Sequence, residues 1–138
     1  MVPVISFVGY SKSGKTTLLE KVVPELKNLG YRVAFIKHTH HNNFDIDLPG
    51  KDTWRLSQAG SDVMVISSSE KLAIIEKVSE ELYLNKILEL IADKVDVILT
   101  EGYKQADTTK IKVSNNRENN LAEIVEFIVT QIQQSSKT

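Results

Sequence analysis

The chain has 138 residues, 41% of them hydrophobic and 25% charged, and its 17 Lys and Arg against 18 Asp and Glu give a formal net charge of −1. That size and balance predict a single domain over residues 1–134 with a frayed tail at 135–138, and they exclude a bulk field for holding a nucleic-acid polymer or an anionic membrane. The absence of cysteine removes disulfides, thiolate metal sites and a Cys nucleophile together. With no signal-like N-terminus and no run long enough to span a bilayer, the expected setting is the cytoplasm.

Residues 3–8 read as a buried strand, and residues 15–29 place Leu18, Leu19, Val22, Val23, Leu26 and Leu29 at helical spacing before Gly30, with Pro24 as a kink candidate. A second strand follows at 32–37, then a long polar loop over 38–50. Residues 51–60 read as a short helix closed by Gly60, and "DVMVIS" and "KLAIIEK" as two strands pairing in a hairpin. The stretch 79–92 is predicted as an amphipathic helix capped by Ser79, with Leu82, Ile87, Leu88 and Ile91 inward. A strand over 95–100, a short one at "KIKVS" and a closing helix over 119–132 complete the order. Strands alternating with helices predict an α/β fold with a mainly parallel sheet, flanking helices and an added β-hairpin, with ligands beyond the carboxyl ends of the strands.

At the first of those ends, Gly9-Tyr-Ser-Lys-Ser-Gly14-Lys15-Thr16 matches the phosphate-loop pattern G-x-x-x-x-G-K-[ST] in full, between a strand and a helix. Gly9 and Gly14 let successive N–H groups turn inward on phosphate oxygens, and the helix N-terminus adds its positive dipole end. Lys15 is placed for the β- and γ-phosphates and the Thr16 hydroxyl for Mg²⁺. Lys12 is either a phosphate contact or an ordinary exposed loop lysine, and Ser13 stays open in the same way.

A triphosphate site needs a carboxylate at a neighbouring strand end, and "VDVILTEGYK" supplies Glu101, with Gly102 after it as a sign of close backbone approach. Asp96 starts the same strand, about 15 Å away at ~3.3 Å per residue, and is read as structural. Within "KHTHH", Lys37 and His38 stand at the mouth of the second strand, where an anionic ligand is the preferred reading over a transition-metal site. Asp45 and Asp47 either join the Mg²⁺ shell or form Asx turns. Trp54 is read as packing.

Taken together, "GYSKSGKTTLLEKVVPELKNLGYRVAFIKH", "FDIDLPGKDTWRLSQAG" and "VDVILTEGYK" resemble the MobB (molybdopterin-guanine dinucleotide biosynthesis protein B) family of P-loop GTP-binding proteins over residues 1–114. The resemblance implies a P-loop NTPase-type fold and a GTP-binding accessory protein, often a homodimer, acting with a molybdopterin guanylyltransferase, with molybdopterin itself as a further partner. It implies that Gly9, Ser11, Lys12, Ser13, Gly14, Lys15, Thr16 and Thr17 hold phosphates and Mg²⁺. Glu101 and Lys15 become the catalytic candidates, and Thr16, Glu101 and Asp47 the metal ligands. Lys37, His38, Asp47, Lys51, Asp52 and Arg55 are expected to line the neighbouring cleft. A nucleotide-dependent adaptor without turnover and a metal-delivery GTPase remain the alternatives to a weak GTPase.

After "KIKVSNNREN" the chain passes almost directly to "NLAEIVEFI", where family members usually carry a further strand and polar loop, the place expected for base recognition. A site that reads a base edge through a full set of buried hydrogen bonds discriminates by a factor of order 10⁴. The short connection predicts GTP preferred over ATP by less than about a hundredfold, a gap under ~2.8 kcal/mol. Competition of ATP against labelled GTP measures it; a preference in the thousands would assign guanine reading to Asn115, Asn116 or a neighbouring loop.

Overall fold

A computed structural model describes residues 1–10, 13–41, 44, 46, 48–114 and 120–136. The chain forms two compact units, one of residues 1–39 and 84–138, the other of residues 40–83. The apolar run "VISFV" is that of a strand buried on both faces, and β1 (Val4–Val8) lies inside a four-stranded sheet with β2 (Val33–Lys37), β5 (Val97–Glu101) and β6 (Thr109–Lys112). The strand order is β2-β5-β1-β6, and every pairing is parallel. Register is set by Ile5 opposite Leu99 and Thr109, and by Lys37 opposite Glu101.

One sheet face carries Ile5, Phe7, Val97 and Leu99, all with zero exposure. Helix α1 (Lys15–Asn28) meets this face with Leu18, Leu19, Val22 and Leu26, and α4 (Leu121–Ser135) with Ile128 and Ile132. The three- and four-residue spacing aligns these side chains in one stripe, and the two helices pack on each other as well as on the sheet. Helix α1 continues through Pro24, which leaves the carbonyl of exposed Glu20 without its usual amide partner. Asn120 caps α4, its side chain accepting from Glu123 N at 3.1 Å, and the helix runs past the expected residue 132.

In the second unit α2 (Asp52–Ala59) precedes a hairpin of β3 (Val63–Ser67) and β4 (Leu72–Glu76), antiparallel with Val65 opposite Ile74. Between Thr39 and Lys51 the described residues include no helix or strand. Helix α3 (Leu84–Ile91) starts five residues later than Ser79. Its half-buried stripe is Leu84, Ile87, Leu88 and Ile91; at 100° per residue Leu82 would project roughly 160° from Leu84, so extending the helix backward buries nothing more. Leu82 is exposed accordingly.

Leu29 also departs from the helical stripe: it is the C-terminal cap of α1 and 58% exposed, whereas Leu26 is fully buried. Leu26→Ala is expected to cost about 2–5 kcal/mol, and Leu29→Ala under about 1 kcal/mol. Urea unfolding of the two variants checks the assignment.

Candidate phosphate-loop site

Parallel pairing brings the carboxyl ends of all four strands to one edge of the sheet, and Gly9, Lys15, Lys37, His38 and Glu101 gather there. Gly9 leaves β1, Glu101 closes β5 and Lys37 closes β2 in register with it. The loop then turns into α1 through Gly14, whose φ of 93° lies in the left-handed region. Ser13 N donates to Tyr10 O at 3.0 Å, tightening the loop ahead of the helix.

Gly9 is fixed by close approach. A Cβ there would meet the Val113 carbonyl oxygen at 2.6 Å and Ser13 Oγ at 2.8 Å. The Ser13 side chain is 6% exposed and its hydroxyl has no partner among the described residues, a costly arrangement unless another group meets it. Lys15 Nζ donates to Gly9 O at 3.0 Å and lies 3.8 Å from Glu101 Oε1, with both side chains largely shielded from solvent. Thr16 and Thr17 are exposed on the first turn of α1, where the unpaired N–H groups of the helix end also point.

Glu101 is tied to the end of β2 through its backbone, since His38 N donates to Glu101 O at 3.0 Å. The next residue, Gly102, has a φ of 98°, and a Cβ there would come within 3.0 Å of His38 Cβ. Tyr103 follows with a φ of 56°, the one described non-glycine residue at positive φ, and its ring lies on His38 with centroids 4.9 Å apart and planes tilted by 37°. Lys104 Nζ stands 6.0 Å from the ring centre of Tyr10 in the phosphate loop. Tyr103 and Lys104 belong to the "VDVILTEGYK" segment that carries the family resemblance and Tyr10 to the phosphate loop, but the sequence assigns no site role to any of the three.

Asp96 is at the opposite end of β5. It accepts from Arg32 N at 2.6 Å and from the guanidinium at 3.2 Å, and those hydrogen bonds from Arg32 hold its carboxyl below the ordinary carboxylate range. It ties the starts of β2 and β5 together and takes no part in the loop site. Lys51, Asp52 and Arg55 lie in the second unit at the start of α2, where Asp52 Oδ1 accepts from Thr53 N at 2.8 Å. Ser11, Lys12, Asp45, Asp47, Asn115 and Asn116 lie outside the described residues. Strand β2 ends at Lys37, so the alternation that would align His38 with His40 stops there. Among the described residues no three His, Cys, Asp or Glu side chains gather as a metal cluster.

A parallel sheet whose first strand runs through a glycine loop into a helix, with a lysine and a carboxylate meeting at the strand ends, defines a P-loop NTPase-like α/β protein. The family model for molybdopterin guanine dinucleotide synthesis protein B matches residues 4–132, and the chain belongs to that MobB family. It is 38% identical over 130 residues to the molybdopterin-guanine dinucleotide biosynthesis adapter protein of Haemophilus influenzae, covering 93% of this chain and 72% of that one. The Escherichia coli adapter protein is 39% identical over 116 residues, covering 80% of this chain and 65% of that one. A crystal structure of molybdopterin-guanine biosynthesis protein B (mobB) matches with a TM-score of 0.69 at 28% identity, over 94% of this chain and 99% of that one. Bacillus subtilis MobB gives 0.71 at 27% identity, over 91% and 72%. The sequence expectations of family, parallel sheet and added hairpin hold.

Gly9→Ala tests the loop geometry without any ligand. Its methyl group must displace a backbone carbonyl, so the variant is expected to lose about 1–3 kcal/mol. Unchanged urea stability would show that the loop is not packed against Val113.

Proposed function

We propose that the protein is a cytoplasmic GTP·Mg²⁺-binding adapter in molybdopterin guanine dinucleotide biosynthesis, with at most weak hydrolysis. The observation that carries this reading is the meeting of Lys15 with Gly9 O and Glu101 at the head of a complete phosphate loop. The chemistry fits: the buried Ser13 hydroxyl, without a partner among the described residues, and the exposed N-terminus of α1 offer donors to an anion, and Lys15 offers a cation. Thr16 and Glu101 would hold the metal, with Ser11, Lys12, Thr17, Lys37, His38 and Asp47 as further contacts from the family pattern. When bound, Mg²⁺ would supply positive charge to the phosphate oxygens. Glu101 then balances the metal side of the site and Lys15 the phosphate side, and each limits the other's uncompensated charge.

The adapter role comes from the family and from the names of the curated relatives. It implies a molybdopterin guanylyltransferase as partner, with molybdopterin as a further one. A homodimer is supported by the hairpin, which leaves Val63, Val65, Leu72 and Ile74 exposed on its strands; an apolar surface of that kind favours association. No helix among the described residues is long and apolar enough to cross a membrane.

The test is labelled-GTP binding with Mg²⁺ as the variable. Parent protein is expected to bind GTP in a Mg²⁺-strengthened manner, and Lys15→Ala to lose at least about a hundredfold in affinity, ~2.8 kcal/mol, with unchanged circular dichroism. Glu101→Gln is expected to keep metal-free binding and to raise the Mg²⁺ midpoint about tenfold, while Asp96→Asn leaves it at the parent value. Equal Mg²⁺ midpoints in parent and Glu101→Gln would reduce Glu101 to a partner of Lys15.

A further inference from the structure

The connection from β5 to β6 is unusually short. The two strands are parallel with β1 between them, and residues 102–108 alone join the carboxyl end of one to the start of the other. Parallel crossovers ordinarily take a dozen or more residues and a helix. This segment must cross two strand spacings, about 10 Å, and descend to the level of Thr109, which pairs with Ile5.

The segment forms a strap on the sheet face opposite α1 and α4. Ser6 points to that face, fully buried, and its hydroxyl meets Thr108 Oγ1 at 2.7 Å and Thr100 Oγ1 at 2.8 Å. Lys110, the β6 residue opposite Ser6, reaches back along the strap: Nζ donates to Thr108 O and Thr108 Oγ1, each at 2.9 Å, and to Ala106 O. Ala106 N in turn donates to Tyr103 O at 3.1 Å. The strap is thus anchored at its far end by a lysine with three protein acceptors, and at its near end by the Tyr103 ring on His38 and the His38 N–H on Glu101 O. Tyr103 holds a left-handed φ that an L residue adopts at a cost, and such a conformation persists where surrounding contacts over-determine it.

We propose that Lys110, acting with Ser6 and Thr108, is a positioning residue for Glu101: by tensioning the strap it holds the Gly102–Tyr103 turn, and so aims the carboxylate at Lys15 and the metal side of the loop. Lys110 touches neither Lys15 nor Glu101, and its effect passes through Ala106, Tyr103 and His38. The inference rests on the reading of Glu101 as the carboxylate on the Mg²⁺ side.

Lys110→Met keeps much of the length and apolar stem of the side chain and removes its three donors. Two measurements on this variant separate positioning from simple stability. Hydrogen exchange at the Ala106 and Thr108 amides is expected to accelerate, and the Mg²⁺ midpoint for labelled-GTP binding to rise about tenfold, the usual effect of removing a group that orients a metal ligand. GTP affinity in EDTA and the melting temperature are expected to remain near the parent values. Ser6→Ala, which cuts the same network at a different atom, should shift the midpoint in the same direction. Faster strap exchange with an unchanged Mg²⁺ midpoint overturns the proposal, and so does unchanged exchange. A parent protein that binds GTP without any response to Mg²⁺ overturns the reading of Glu101 and the inference with it, and is recognised before any variant is made.

Discussion

The register between β1, β5 and β2 is the constraint on which the site depends. Glu101 pairs with Phe7 on one side and Lys37 on the other, so its side chain emerges on the face where Phe7 is buried and where α1 packs. Lys15, the first residue of α1, can therefore reach it. Side chains alternate along a strand, so a slip of β5 by one residue would bring Thr100 to this level and send the carboxylate to the opposite face. The apolar stripe guards against that slip. Val97 and Leu99 share the face of Glu101 and are fully buried in one cluster with Leu18, Val22 and Ile128, and moving them outward would forfeit roughly 1.5–3 kcal/mol each.

The opposite face follows a different rule. Ser6 and Thr100 are fully buried there without being apolar, which costs free energy unless their hydroxyls are paired. They pair with each other and, through Thr108, with the strap. A small residue at position 6 leaves room for backbone to cross β1, and hydroxyls rather than methyl groups meet the polar atoms that the crossing brings. The short crossover and the polar spine beneath it are two aspects of one solution: a connection with no helix to bury exposes its own backbone to the sheet, and the sheet answers with donors and acceptors.

Much of this was legible in the sequence because local pattern and tertiary environment agree. The phosphate loop announces itself by glycines at fixed spacing between a strand and a helix, the buried strand over 3–8 by its apolar run, and the inward set of Leu18, Val22 and Leu26 by helical period alone. Glu101 was readable as the residue that ends an apolar run before a glycine. What escaped depends on partners distant in the chain. Ser79 looks like a helix cap until the stripe of α3 begins at Leu84; Leu29 fits the helical period yet falls at the cap. Tyr103 gives no hint of its left-handed backbone, nor of the contact its ring makes with His38 from the end of another strand. Lys110 reads as an ordinary alternating strand lysine, and its role appears once Ala106 and Thr108 are folded over Ser6.

The same distinction bears on how the site is built. Gly9, Ser13 and Lys15 are held mainly by contacts within a few residues of one another, apart from the Val113 carbonyl that closes over Gly9 and the Glu101 carboxylate beside Lys15. Glu101 is held by elements from three separate parts of the chain: β1 and β2 through the ladder, and His38 and the strap through the turn that follows it. A locally encoded loop tolerates changes elsewhere in the fold, whereas a carboxylate placed by long-range contacts is sensitive to each of them. On the proposed reading of Glu101 as the carboxylate on the Mg²⁺ side, the phosphate grip and the metal response would be separable properties, the first written in the loop and the second spread over the sheet. On that reading, substitutions at Ser6, Thr108 or Lys110 would fall on the metal response, because the strap that they anchor begins at Glu101.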